Sequence, residues 1–376
     1  MSQILPETNN NNIQGVYMPL EWLETAPPAQ EFSIDPLAPI GAVTLINAHG
    51  GTGKSLLALK IATHIVLGID ILGAETNGEK VAYMSLEDSE DILRRRIYKL
   101  IAYLPKEVQG RRQELSDRLM FIDGYGRQMH VAKYNQNNVE ITDITNKLIK
   151  LLKKENIKTL FVDTFVRSHS LNENDNAQMG ALLVAFEKIA AEAKCAVILL
   201  HHLSKSSDSK AYAARGASAI TDNARSSILL ERVDKKDETK FSEADIKMAV
   251  TEGRLIRVMH IKHNYSVEHP EQYIEITKDG GLIERYPSFD IRKSSEQRLM
   301  EISNWQKKEM KGKPITKTNI DENFRNIRPE NTNYSKWIYR NALDWGIENS
   351  YVQQVASPEG GSRNKNAVYY IINMPQ

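Results

Sequence analysis

The stretch Gly41–Ser55, GAVTLINAHGGTGKS, decides the fold, because a buried-strand pattern runs directly into a glycine-rich turn and a helix. Residues 43–46 are apolar or β-branched, which is typical of a central strand in a parallel sheet. The helical pattern SLLALKIATHIV follows the turn without a gap. This order of strand, turn and helix predicts an α/β domain whose turn binds phosphate.

The turn fits the P-loop pattern except at its first position, which is Ala48 and not glycine. Its glycines allow backbone N–H groups to approach phosphate oxygens at the positive end of the next helix. Lys54 is expected to bind the β- and γ-phosphates of ATP, and the Ser55 hydroxyl to bind Mg²⁺. The alternative is a strand-to-helix turn that binds no ligand. The predicted nucleotide-binding residues are Gly50, Gly51, Thr52, Gly53, Lys54, Ser55 and Leu56.

Composition indicates an ordinary globular chain. Its 376 residues, 41% hydrophobic and 26% charged, allow two or three domains. The net charge of +1 predicts neither a nucleic acid nor a membrane partner, but residues 291–376 contain 14 Lys and Arg against 9 Asp and Glu. The sequence has one cysteine, Cys195, no stretch of about 20 apolar residues and no signal-peptide pattern. We therefore expect a cytoplasmic protein that does not bind membranes.

Strand and helix patterns alternate from residue 32 to residue 202, which predicts a right-handed βαβ sheet with helices on both faces. Residues 138–155, NVEITDITNKLIKLLKKE, are predicted to form one amphipathic helix. Antiparallel strands are expected at MAVTE, RLIRVMHIKHNY, YIEITKD and GLIERY, with a hairpin at Gly280 and Gly281. The expected organisation is a tail with a short helix (1–31), an α/β nucleotide-binding domain (32–287) and a C-terminal domain (288–376).

Carboxylates follow two of the predicted strands. Asp163 ends the apolar run LFVD, and this Walker B pattern places its carboxylate at the carboxyl edge of a parallel sheet, where it can bind Mg²⁺. Glu87 follows the strand at 81–85 and can orient and deprotonate the attacking water. Both Glu87 and the adjacent Asp88 are alternatively first-turn acids of the arginine-rich helix that follows, and Asp88 can also take the catalytic part.

Histidines and arginines supply the remaining candidates near this edge. His201 and His202 end the strand CAVILLHH and project from opposite faces, so one of them should point toward the nucleotide. We favour His202 as a sensor of the γ-phosphate. If the protein forms a ring, one of Arg215, Arg225 and Arg232 can reach the neighbouring subunit's γ-phosphate as an arginine finger. Each of these side chains is otherwise a solvated or salt-bridged cation.

The C-terminal region shows three helical patterns followed by two strands, the order of a winged helix-turn-helix domain. The helix at 333–345 would enter the DNA major groove, with Lys336 and Arg340 four positions apart on one face. The wing EGGSRNKN would carry Arg363 and Lys365 to the DNA backbone. The apolar side chains of the same helix are expected to form the core of the small domain.

With these motifs assembled, the chain resembles the plasmid RepA-like hexameric replicative helicases, a branch of the RecA-like P-loop ATPases related to the DnaB type. The resemblance covers about residues 32–285 and rests on AHGGTGKS, MSLEDSE, LFVDT, ILLHHLSK and ARGASAITDNARS, in that order. It implies an α/β, RecA-like core with a twisted, mostly parallel sheet. The roles that it implies are Lys54 and Ser55 for phosphate and Mg²⁺, Glu87 as base, Asp163 as Walker B acid, His202 as sensor and Arg225 as finger.

Members of this family assemble as rings, bind ATP at subunit interfaces and move along single-stranded DNA. The resemblance therefore implies a homo-oligomeric ring, a hexamer, in which Lys205 and Lys210 of the loop at 203–214 contact the DNA backbone. That loop is short for the family, and the basic C-terminal domain is additional to it. The first hypothesis is an ATP-driven DNA helicase or translocase for plasmid, phage or mobile-element replication. The second is a nucleotide-gated DNA-binding or recombination-mediator ATPase that does not unwind DNA.

Overall fold

The computed structural model describes residues 26–106, 108–135, 138–203, 219–236, 241, 244–266, 269–285, 291–324, 332–356 and 368–373. Most of the tail and helix expected before residue 31 lies outside these ranges. The same holds for five residues with sequence-based roles, namely Lys205, Lys210, Arg215, Arg363 and Lys365. Across the described part of the chain, no helix has the length and apolar character needed to cross a bilayer.

The strands up to residue 285 form a large mixed sheet with two small accessory sheets. Their bounds are β1 Phe32–Asp35, β2 Ala38–Pro39, β3 Val43–Ala48, β4 Glu75–Thr76, β5 Val81–Ser85, β6 Leu119–Asp123, β7 Ala132–Asn135, β8 Asn138–Ile141, β9 Thr159–Asp163, β10 Ala196–His202, β11 Ser226–Arg232, β12 Leu255–His263, β13 Gln272–Ile276 and β14 Leu282–Arg285. The nine-stranded sheet has the order β14-β13-β12-β11-β3-β10-β9-β5-β6. The six strands from β11 to β6 are parallel, and β12, β13 and β14 continue the sheet antiparallel.

Helices pack on both faces of this sheet. Their bounds are α1 Lys54–Leu67, α2 Glu90–Ala102, α3 Arg112–Arg118, α4 Asp143–Glu155, α5 Asn176–Ala193, α6 Ala219–Asn223 and α7 Ala244–Thr251. Successive residues of the central strands enter different apolar clusters: Ile46 and Leu200 pack with α1, whereas Leu45 and Leu199 pack with α5. Because both faces are covered, the central strands are buried and mainly apolar, as the sequence predicts. The α/β fold with a mostly parallel sheet, consistent with a RecA-like P-loop core, is therefore confirmed.

Two predicted elements are wrong. The segment MAVTE was expected as a strand, but its first four residues belong to helix α7, in which Ile246, Ala249 and Val250 share a buried face at helical spacing. The stretch at 138–155 is not one helix, because its first four residues form β8, which pairs antiparallel with β7. Helix α4 begins at Asp143, and Thr142 caps it: the Thr142 hydroxyl accepts a hydrogen bond from the Ile144 N–H at 3.2 Å.

The C-terminal residues form a separate apolar core. Their elements are helices α8 Ile291–Lys308, α9 Lys317–Phe324 and α10 Thr332–Glu348, and strands β15 Val352–Val355 and β16 Tyr369–Ile372. The two strands pair antiparallel, and Ile315 makes a further bridge to Tyr370. Leu299, Ile302 and Leu343 are fully buried in the core of these elements. The order of three helices and a strand pair is the one that the sequence predicts.

Candidate functional site

The glycine-rich turn between β3 and α1 has the backbone of a phosphate-binding loop. Gly51 and Gly53 have φ angles of 76° and 94°, in the left-handed region that glycine adopts without steric cost. A Cβ on Gly53 would lie 2.8 Å from Cδ1 of Ile276. Residues 54–57, the first turn of α1, carry no acidic side chain, so the positive end of the helix is not neutralised from within. The turn therefore fits a phosphate group.

Lys54 points into the interior of this edge of the sheet. The residue is 4% exposed, and its Nζ lies 3.1 Å from Nε2 of His202. Burial lowers the pKa of Lys54, while the negative charges of Asp163 and Glu87 oppose that shift. A buried ammonium with two nearby carboxylates is placed to bind the terminal phosphates of a nucleotide.

Ser55 and Asp163 bring oxygen donors together beside the turn. The Ser55 hydroxyl donates to Oδ1 of Asp163 at 3.1 Å, and the Tyr83 hydroxyl donates to Oδ2 at 2.7 Å. Burial raises the pKa of Asp163, and the bonds from Tyr83 and Ser55 oppose this shift. Mg²⁺ prefers oxygen ligands and is usually held by one or two protein carboxylates together with substrate phosphates. Ser55 and Asp163 therefore fit the expected Mg²⁺ site.

Strand β10 lies between the P-loop strand β3 and strand β9, which ends at Asp163. The contact between Ser55 and Asp163 therefore spans the width of one strand. The contact forms because β3, β10 and β9 are parallel, so their carboxyl ends reach the same edge.

Glu87 lies just beyond β5 and faces the same edge. Its Oε1 accepts a hydrogen bond from the Thr164 hydroxyl at 2.9 Å, and its Oε2 lies 4.0 Å from Nε2 of His202. Asp88 is instead ion-paired with Arg96 of helix α2. Of the two neighbouring acids, Glu87 is therefore the one directed toward Lys54 and His202.

The two histidines at the end of β10 point in opposite directions, as the strand geometry predicts. His201 is buried on the far face, where its Nδ1 lies 2.9 Å from Oδ1 of Asn47. Burial and the nearby Lys54 charge lower the pKa of His201 to about 4. His202 faces the P-loop, and burial and Lys54 lower its pKa while Glu87 raises it. Of the two histidines, only His202 contacts Lys54.

The arginines proposed as fingers occupy different places. Arg232 ends β11, and its guanidinium donates to the carbonyls of Gly51 and Gly253 in its own chain. It therefore braces the P-loop of its own subunit. Arg225 is exposed and directly precedes β11. Its backbone N–H donates to the carbonyl of Val43 at 3.3 Å, so Arg225 lies at the amino ends of the parallel strands, whereas the P-loop lies at their carboxyl ends. Arg225 cannot reach its own nucleotide site.

The structure gives Arg340 a role other than the expected DNA contact. Its side chain is 14% exposed and its Nη1 lies 3.2 Å from Oδ2 of Asp70, which follows helix α1. Its guanidinium also pairs with Glu75 at 2.8 Å and with Asp321 of α9. Because carboxylates surround the guanidinium, Arg340 stabilises contacts within the protein and its side chain is not directed toward DNA. Lys336 lies on the same helix, α10, and its side chain is not among those described.

The sequence interpretation missed three residues at this edge. They are Tyr83, which donates to Asp163, and Thr164 and Arg167, which contact Glu87. Strand alternation offered a signal for Tyr83, because it lies two residues before Ser85 and so on the same face of β5. Thr164 caps the short 3₁₀ helix Phe165–Ser168, which contains Arg167, and the sequence pattern did not predict where these two side chains point.

A comparison with known protein families matches residues 13–208 to an AAA domain. The match spans more than half of the 376 residues and contains the P-loop, Glu87, Asp163 and His202. It does not reach Arg225 or the C-terminal helices. The family, the parallel sheet and the geometry of the P-loop agree: the chain belongs to the AAA domain family and has the site of a P-loop ATPase.

Proposed function

We propose that the protein hydrolyses ATP to drive movement along single-stranded DNA, as a helicase or translocase in plasmid, phage or mobile-element replication. The observation that carries the ATPase part is the meeting of five side chains at one sheet edge. They are Lys54, Ser55, Glu87, Asp163 and His202. The DNA part rests on the resemblance of the motifs and on the basic C-terminal region. We further propose a cytoplasmic location.

In the proposed reaction, the oxygen of a water molecule bonds to the γ-phosphorus and the bond to the β-phosphate oxygen breaks. Glu87 accepts the proton of the water, and ADP leaves with the electron pair of the broken bond. Lys54 neutralises negative charge on the phosphate oxygens of the departing ADP. His202 contacts both Lys54 and Glu87, so it can report whether the γ-phosphate is present.

A magnesium ion held by Ser55 and Asp163 would supply further positive charge to the β- and γ-phosphates. Tyr83 keeps the Asp163 carboxylate oriented toward Ser55, because it donates to the other carboxylate oxygen. The backbone of Gly50–Gly53 would hold the phosphates.

A homo-oligomeric ring, a hexamer, would complete the proposed site. Arg225 lies at the edge opposite its own P-loop and would act on the neighbouring subunit as the finger. Lys205 and Lys210 would contact single-stranded DNA. The C-terminal elements would act as a winged-helix module that contacts double-stranded DNA through Lys336, Arg363 and Lys365.

The test measures ATP hydrolysis with and without single-stranded DNA. We expect Mg²⁺-dependent hydrolysis that single-stranded DNA stimulates. Lys54→Ala should abolish this hydrolysis, and Glu87→Gln should lower its rate by at least about 100-fold. Glu90→Gln is the matched control, since the Glu90 side chain is 83% exposed and pairs only at 4.0 Å with Arg94. Hydrolysis that is absent in the wild type, or equal in Glu87→Gln, contradicts the proposal.

Assembly is tested separately. Mass measurement with a non-hydrolysable nucleotide should show the ring, and mixing inactive Arg225→Ala with inactive Glu87→Gln subunits should restore part of the activity. Mixtures that remain inactive argue against a site shared between subunits.

One observation favours the second candidate, a nucleotide-gated DNA-binding ATPase without unwinding activity. Arg340 of α10 pairs with Asp70, which lies three residues after the P-loop helix ends at Leu67. A change at the P-loop could therefore reach the C-terminal module directly. If ATP is hydrolysed but a forked duplex is never opened, this candidate replaces the helicase.

A further inference from the structure

We propose that Thr164 is a positioning residue that selects which oxygen of Glu87 accepts the proton from water. The inference rests on the proposed ATP hydrolysis and deepens it. It assigns a function to a side chain that neither the P-loop nor the Walker B motif includes.

The Thr164 hydroxyl is held rigidly. Thr164 is fully buried and directly follows Asp163, the last residue of β9. The backbone of this strand end is tied to the next strand, since the Leu86 N–H donates to the carbonyl of Asp163 at 2.6 Å. Glu87 is the residue after Leu86. Thr164 and Glu87 therefore both lie next to strand ends that a backbone hydrogen bond holds together.

The two oxygens of the Glu87 carboxylate have different surroundings. Oε1 accepts from the Thr164 hydroxyl at 2.9 Å and lies 3.5 Å from Nε of Arg167. The backbone N–H of Arg167 donates to the carbonyl of Thr164 at 3.2 Å. The two side chains that contact Oε1 therefore belong to the same turn. Oε2 faces His202, which in turn contacts Lys54. One oxygen is thus held by the turn, and the other faces the expected nucleotide.

A glutamate needs such a restraint here. The Glu87 side chain is 34% exposed, and the terminal torsion of a glutamate is broad and has no strongly preferred staggered value. Without the bond from Thr164, Oε1 would depend on the longer contact with Arg167, whose side chain is 59% exposed, and the carboxylate would be held less firmly. A general base must stay within hydrogen-bond reach of the proton that it removes. Thr164 therefore acts on the reaction through Glu87 and touches no substrate.

The test compares Thr164→Val, which keeps the shape but removes the hydroxyl, with Thr164→Ser, which keeps the hydroxyl. Thr164→Val should lower kcat by about 10- to 100-fold, as expected for a misplaced catalytic group. Nucleotide affinity and the thermal unfolding midpoint should stay close to wild type. Ser should recover most of the rate. This division between kcat and affinity, with rescue by Ser, is not expected if Thr164 only supports the fold.

A double variant connects the effect to Glu87. In the Glu87→Gln background, Thr164→Val should cause no further loss, because the base that it orients is already absent. Equal kcat in Thr164→Val and wild type, or equal further loss in both backgrounds, overturns the positioning role. Those results leave the ATPase proposal intact, which fails only if the wild type does not hydrolyse ATP or Glu87→Gln is fully active. If Thr164→Val does not fold, Thr164→Ser provides the test. A folded Thr164→Ser protein whose rate is as low as that of Glu87→Gln overturns the inference.

Discussion

The ammonium of Lys54 lies 3.1 Å from Nε2 of His202, although 148 positions separate the two residues. Both are partly or wholly buried, and burial lowers the pKa of each. Lys54 favours the neutral form of His202, because a second positive charge at this distance would be repelled. The charge of the P-loop lysine and the protonation of His202 are therefore linked.

Replacing Lys54 by Met should raise the pKa of His202. Burial lowers this pKa most and Lys54 lowers it further, whereas Glu87 raises it, so removal of Lys54 leaves burial as the effect that opposes Glu87. Histidine ¹⁵N NMR of the nucleotide-free protein measures the shift. His169 is the control, because burial and His130 lower its pKa to about 4 and Lys54 does not contribute. An unchanged His202 pKa would show that Lys54 has no effect on the imidazole.

Gly53→Ala should destabilise the protein even without nucleotide, by about 1–3 kcal/mol from the backbone strain alone. Gly53 has a φ of 94°, and a Cβ there would lie 2.8 Å from Cδ1 of Ile276. Gly50→Ala is the matched control in the same loop: a Cβ there meets none of the described atoms within 4 Å, and the expected change is within about 0.5 kcal/mol. Urea unfolding of both variants measures the difference, and equal stabilities would contradict the geometry of the turn.

Acid should destabilise the protein partly through His201. Burial and the charge of Lys54 lower its folded-state pKa to about 4, below the ordinary value of 6.5. Between these values the unfolded chain binds more protons, so the stabilisation is complete above pH 6.5 and is lost as the pH falls toward 4. His201→Asn should reduce the slope of unfolding free energy against pH by up to about 1.4 kcal/mol per pH unit. Identical slopes from pH 4.5 to 6 would rule out this contribution.

Arg340→Ala should lower the free energy of unfolding by about 3–5 kcal/mol, because it removes the cation that pairs with the largely buried carboxylate of Asp321. The side chains of Arg340 and Asp321 are 14% and 10% exposed. Arg94 is the control: it and Glu90 are 75% and 83% exposed, and Arg94→Ala should cost no more than about 0.5 kcal/mol. Denaturant unfolding compares the two variants. Equal losses would mean that the Arg340 network contributes no more than a surface pair.

Some errors of the sequence interpretation come from short segments that suit two structures. MAVTE contains apolar and β-branched residues, which are compatible with a strand, but its neighbours complete a helical face through Ile246. Arg340 has the right spacing for a surface contact, yet Asp70 and Glu75 lie about 270 positions away in the chain. No local pattern predicts a partner at that distance.

The sequence by itself determined the P-loop turn, the strands that end at Ser85 and Asp163, and the fact that His201 and His202 point in opposite directions. These follow from local chemistry: glycine at positive φ, apolar runs of strand length and the two-residue alternation of a strand. Only the tertiary structure decided that β10 separates β3 from β9, that Arg232 braces its own P-loop, and that Thr164 holds Glu87. Those relationships depend on strand order and side-chain packing, which arise from contacts between distant parts of the chain.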